Sequence, residues 1–132
     1  MKLRCVEDKR REVRRQERLI EHLRGLQGLT ARPLDGLPKS KSQSSHVEKI
    51  VAQIVDGEKN LSDLRDELLE LQDALTAEIY RRVTNLSAVE VLVARYIFGK
   101  TFSQIAGKMF LSERRVYKLH RQGVADFNAA NV

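Results

Sequence analysis

Apolar residues along the chain recur at steps of three and four, the spacing that places side chains on one face of a helix. The longest such series runs Val47, Ile50, Ile54, Gly57, Leu61, Leu64, Leu68, Leu71 and Leu75, a heptad seam of about four repeats. Ser45, with Glu48 at N3, is placed to cap this helix, and Asn85 to end it. Gly57 interrupts the seam at about 1 kcal/mol relative to Ala and marks a bend or a close helix crossing. After Leu75 the steps change to Ile79, Val83 and Leu86, which rotates the seam and hands the helix from one packing partner to another.

An earlier stripe, Leu3, Val6, Val13, Ile20 and Leu23, predicts a first helix from about Lys2 to Leu26, although Arg10 and Glu17 break it. Between the two helices the stretch 29–45 carries both prolines and a run of small polar residues, and reads as a linker. The seam then has two readings, a hairpin packed on the first helix or a coiled-coil dimer.

Beyond residue 85 the spacing shortens. Ser87 and Glu90 form a capping box, with Leu86 and Val91 placed as a hydrophobic staple, and a helix follows to about Phe98, closed by Gly99 as C′. Thr101 and Gln104 form another capping box. Ile105 and Met109 face inward, Ala106 allows close helix approach, Leu111 plugs a turn, and Ser112 caps a last helix. Val116 and Leu119 turn the apolar side of that helix back onto Ile105 and Met109. These positions fit a helix-turn-helix.

With Val116, Leu119 and Gly123 facing the core, a step of about 100° per residue points Arg114, Lys118 and Arg121 the other way, with Arg115 and Tyr117 on the flanks. Arg and Lys donors match guanine O6 and N7, and Arg, Lys and Tyr can hold phosphates. The competing reading is a merely solvated basic face.

Thr101, Phe102, Ile105, Ala106, Ser112, Arg115 and Val116 resemble region 4 of the bacterial sigma factors. By position, the resemblance implies base contacts from Glu113, Arg114 and Lys118, and backbone contacts from Arg115 and Tyr117. Phe110 replaces the turn glycine, so a rebuilt turn is expected, because a bulky residue at positive φ is costly. Gly123 replaces a helix former, so the last helix either ends early or continues towards Phe127 at about 1 kcal/mol. The order of elements over roughly residues 40 to 127 is also similar to phage transcriptional regulators of the ArpU/RinA type. That resemblance implies a prophage-encoded activator of late genes.

Charge is uneven. Residues 1–28 hold nine Lys or Arg against five Asp or Glu, residues 46–86 five against nine, and residues 87–132 seven against three, within a chain of net charge +6. The balance favours nucleic acid over acidic small substrates, and the acidic middle helix is expected to lie against protein. The run at 9–15, KRREVRR, is either a DNA contact or the solvated outside of a helix, and the interleaved Glu7, Asp8, Glu12, Glu17 and Glu21 favour the solvated reading. In 132 residues, 42% hydrophobic with 5% aromatic content suits helical packing in one domain or two small pieces. The single Cys5 allows no internal disulfide, and neither an apolar run of about 18 residues nor a secretion leader is present, which fits a reducing cytoplasm.

Enzyme chemistry is not expected. His22, His46, His120 and Cys5 lack metal-ligand spacing, and neither a phosphate loop nor a Gly-x-Ser-x-Gly elbow occurs. His120 reads as a packing or phosphate-contacting residue, and the acids of DLRDELLELQD as solvation.

The sequence therefore predicts an all-α protein: a basic N-terminal helix at 1–28, a linker at 29–45, a long coiled-coil-like helix at 46–85, and a sigma-region-4-like helix-turn-helix domain at 86–132. The expected partner is double-stranded DNA, contacted by Glu113, Arg114, Arg115, Tyr117, Lys118 and Arg121. Host RNA polymerase is a second expected partner, the assembly a homodimer, and no cofactor and no membrane are expected. A coiled-coil adaptor for RNA polymerase and a small terminase-like packaging protein are the alternatives.

Overall fold

A computed structural model describes residues 1–30 and 41–129, with side chains for 1–28 and 45–129. Five α-helices account for the architecture of the described residues: α1 (Cys5–Thr30), α2 (Lys41–Arg82), α3 (Leu86–Leu92), α4 (Phe102–Met109) and α5 (Glu113–Ala129). A π-helical turn, Val93–Ile97, continues α3. The fold is all-α.

Two compact units divide the chain within α1 and α2: one comprises 10–67, the other 1–9 together with 68–132. In the first, Val13 and Ile20 of α1 and Ile50, Ile54 and Leu61 of α2 are buried. Gly57 is the close crossing between the two helices. A Cβ built on it would stand 3.1 Å from Ile20 Cγ1, and its carbonyl accepts a hydrogen bond of 3.1 Å from Gln16 Nε2. Exposed ion pairs Arg65–Glu17, at 3.1 Å, and Arg24–Glu58 lie along the same hairpin. Of the two readings of the seam, the hairpin accounts for this burial within a single chain.

Ends of helices depart from the sequence expectation. α1 runs past Leu26 through Gly28, because an exposed glycine weakens a helix without stopping it. Ser45 lies inside α2, not at its cap, because nothing from Lys41 to Ser45 breaks a helix; both prolines of the expected linker, Pro33 and Pro38, fall outside the described residues.

The other unit is built on two apolar clusters. Leu3, Val6, Leu75, Ile79 and Val83 pack with Ala88, Val89, Leu92, Tyr96, Ile97 and Phe127. The rotated seam of α2 thus serves a new partner after Leu75. The second cluster, Val91, Ile105, Ala106, Val116 and Leu119, joins α3, α4 and α5. Burying four larger aliphatic side chains, Val91, Ile105, Val116 and Leu119, at roughly 1.5 to 3 kcal/mol each is the main force holding these three helices together. Arg82 spreads its guanidinium 4.5 Å from the centre of the Phe127 ring, and its Nε lies 2.7 Å from a Glu78 carboxylate oxygen, too poorly aligned to count as a hydrogen bond.

The cap of α3 is Asn85, not Ser87. Its Oδ1 accepts from Ser87 N at 2.9 Å and Ala88 N at 3.4 Å, which satisfies two of the orphan amides of the first turn. The staple is absent: Leu86 is 75% exposed while Val91 is fully buried. Asn competes as well as Ser for an N-cap, and the earlier start is what places Ala88 and Val89 inward together.

Candidate functional site

The α4–turn–α5 segment positions every side chain singled out as a contact. Thr101 Oγ1 accepts from Gln104 N at 3.2 Å, and Gln104 Oε1 accepts from Thr101 N at 3.0 Å, so both halves of the capping box form. At the far end, Phe110 itself takes the left-handed conformation, φ 56° and ψ 39°. The turn is kept, not rebuilt. The amides of Phe110 and Leu111 both donate to Ala106 O, the latter at 3.0 Å, and Leu111 packs onto the second apolar cluster. These bonds and this packing offset the strain of a bulky residue in that region. Ser112 Oγ then accepts from Arg115 N at 3.2 Å and caps α5.

Gly123 does not end α5, which continues to Ala129. A Cβ on Gly123 would stand 3.0 Å from two atoms of Leu92 and 3.4 Å from Ala88 Cβ, so the glycine lets α3 and α5 approach. Phe127 beyond it is wholly buried and anchors the helix end.

With Val116, Leu119, Gly123 and Phe127 buried, α5 turns Glu113, Arg114, Arg115, Tyr117, Lys118 and Arg121 to solvent. Arg114, Arg115, Lys118 and Arg121 line a shallow open groove together with Ser112 and Gln122. Gln122 is absent from the expected contacts, yet it stands four residues after Lys118 and therefore on the same face. Glu113 opens the helix, where the positive end of the helix dipole favours a carboxylate.

Behind this face lies an aromatic cluster that no spacing rule announces. Phe102 packs on Tyr117 at 4.4 Å between ring centres and edge-on to His120 at 5.1 Å, while the Arg95 guanidinium lies 4.9 Å from the Phe102 ring centre. Tyr96 Oη and His120 Nε2 share a hydrogen bond of 2.8 Å, with the rings stacked. Burial, then the nearby charge of Arg95, push the His120 pKa below its ordinary value, and burial raises that of Tyr96. His120 is thus a packing residue. The π-helical turn helps here, since its extra residue lets the adjacent Tyr96 and Ile97 both go inward. It closes at Gly99, φ 68°, as expected of a C′ glycine.

A second concavity in the same unit shares no residue with the cationic groove. It is an open cavity of about 660 Å³ lined by Leu86, Val89, Val93, Phe98, Ile105 and Met109, with Tyr80, Lys100 and Lys108 also on its walls. Phe98 and Tyr80 are 64% and 61% exposed there.

Among the described residues no group of three or more His, Cys, Asp or Glu could hold a metal ion, and no helix is long and apolar enough to cross a membrane. No family model, no curated protein and no solved structure matches the chain.

Proposed function

We propose that this chain is a sequence-specific DNA-binding protein that regulates phage transcription, an activator of late genes, with α5 as its reading helix. One observation carries the proposal: the exposed cationic face of a capped helix whose opposite face is fixed by Val116, Leu119, Gly123 and Phe127. Arg114 and Lys118 are one turn apart at the centre of this face and suit base edges in a major groove. Arg115 and Tyr117, at its margins, suit phosphates, as the sigma-region-4-like pattern implies. The protein acts by binding and has no catalytic role. Two copies on two half-sites belong to this reading, although Ile50, Ile54 and Leu61 of the α2 seam are already buried within one chain.

The test is a titration at one salt concentration on a site selected from a random duplex pool and on unselected duplex. Arg114→Ala should cost about 1 to 3 kcal/mol on the selected site and much less on the unselected one, whereas Arg115→Ala should weaken both alike. Equal losses from Arg114→Ala on both would remove base reading by this residue. The apolar cavity around Phe98 and Leu86 favours a second reading, an adaptor that docks a protein such as RNA polymerase. Selection that returns no preferred site would move the function to that class.

A further inference from the structure

The outer face of α1 carries a cationic patch that the reading helix does not explain. Asp8, Lys9, Arg10, Arg11 and Glu12 are each engaged with other groups. Arg14, Arg15 and Arg18 are different: all three are exposed and make no ion pair among the described residues. The sequence offers Glu17 as their neutralising neighbour, but its carboxylate is turned to Arg65 of α2, 3.1 Å away. Of the other acids beside them on α1, Glu12 is engaged with other groups, and Glu21, one turn past Arg18, makes no ion pair among the described residues and leaves the patch with a net positive charge.

At about 100° per residue, Arg14, Arg18, His22 and Arg15 fall within an arc of about 100°, opposite Val13 and Ile20, and the three arginines are rooted within about 6 Å of helix axis. Salt-tolerant solubility would mix signs over such a face. Guanidinium groups without acids among them instead match a ligand of uniform negative charge, whose phosphate oxygens accept the planar fork in pairs. We propose that this face of α1 grips the phosphate backbone of duplex nucleic acid, as a contact that carries no sequence preference.

Two other anionic surfaces fit less well. A lipid surface would need the apolar side of the helix, and Val13 and Ile20 are buried in the hairpin. A single strand would be held in part by base stacking, and α1 contains no Phe, Tyr or Trp. The inference rests on the DNA-binding reading of the chain for its biological sense, although the two surfaces can fail separately.

The experiment measures binding of the full chain to random duplex over a range of salt concentrations, for the wild type, for R14Q/R15Q/R18Q and for R14K/R15K/R18K, with circular dichroism and a thermal melt as folding controls. Removing the grip on one phosphate flattens the plot of log affinity against log salt by nearly one unit, so the Gln variant should lower the slope by about two to three units and the Lys variant by little. A Gln variant that folds and keeps the wild-type slope overturns the proposal, while a site preference still lowered by Arg114→Ala leaves the reading helix intact. The converse, a flattened slope with no site preference anywhere, removes the reading helix and keeps the grip. Unchanged duplex binding together with abolished retention on polyglutamate would assign the patch to an acidic protein and also overturn it. A wild type that binds no duplex at low salt would sink both.

Discussion

Adding one methyl group at Gly123 sets two opposed effects against each other. Ala is favoured over Gly inside a helix by about 1 kcal/mol, which by itself would stabilise α5. The new Cβ, however, would meet Leu92 Cδ1 and Cγ at 3.0 Å and Ala88 Cβ at 3.4 Å. Both neighbours are fully buried, so Leu92 has no solvent side into which to swing, and the strain must be taken up by separating α3 from α5. Overpacking of this kind costs about 1 to 3 kcal/mol. The expected net effect of Gly123→Ala is therefore a loss of about 1 kcal/mol, within a range of about 0 to 2. Gly107 in α4 is the control, because it is exposed and a Cβ there meets nothing within 4 Å. Propensity acts alone at that site, and Gly107→Ala should gain up to about 1 kcal/mol. Urea unfolding followed by far-ultraviolet circular dichroism reads both as shifts of the midpoint, in opposite directions and at unchanged m. If Gly123→Ala stabilised the protein as much as Gly107→Ala does, the close approach of α3 and α5 would be refuted, and with it the account of how α5 is seated.

Phe110→Gly should raise stability relative to Phe110→Ala by about 1 kcal/mol, since both delete a side chain that is 94% exposed but only glycine relieves a φ of 56°; equal midpoints would show that the turn is not held in the left-handed region. For His120, whose folded pKa is depressed, the unfolded chain takes up the proton first as pH falls. Stability should thus decline from about pH 6.5 downward and level off below the folded value, and His120→Gln should remove that part of the decline in a pH series of urea midpoints.

Much of the fold can be read because helix geometry converts spacing into facing. Val116, Leu119 and Phe127 are forced inward once Arg114 and Lys118 are placed outward, and the change of step after Leu75 marks where α2 meets a second core. Caps are legible only where one residue dominates. Thr101 and Ser112 have no rival, whereas Asn85 and Ser87 compete on nearly equal terms and burial of Ala88 decides between them. Phe110 shows the limit of reading conformation from residue type, for the hydrogen bonds to Ala106 O and the seating of Leu111 belong to the assembled turn. The packing of Phe102 with Tyr117 and His120 is likewise hidden, since it joins residues 15 and 18 positions apart on different helices. Ionic partners are the least legible: Glu17 could serve any nearby arginine, and only the folded hairpin assigns it to Arg65.

The stack of Arg95, Phe102 and Tyr117 bears on the entropy of any encounter with α5. Arg114 and Lys118 stand free in water, and each must surrender about 0.5 to 1.5 kcal/mol of rotamer freedom when a ligand fixes it. Tyr117 has surrendered that freedom already, during folding, because its ring rests 4.4 Å from Phe102, which is itself covered by Arg95. Its hydroxyl is therefore held at one margin of the cationic face before anything arrives, a fixed point against which two mobile cations can search.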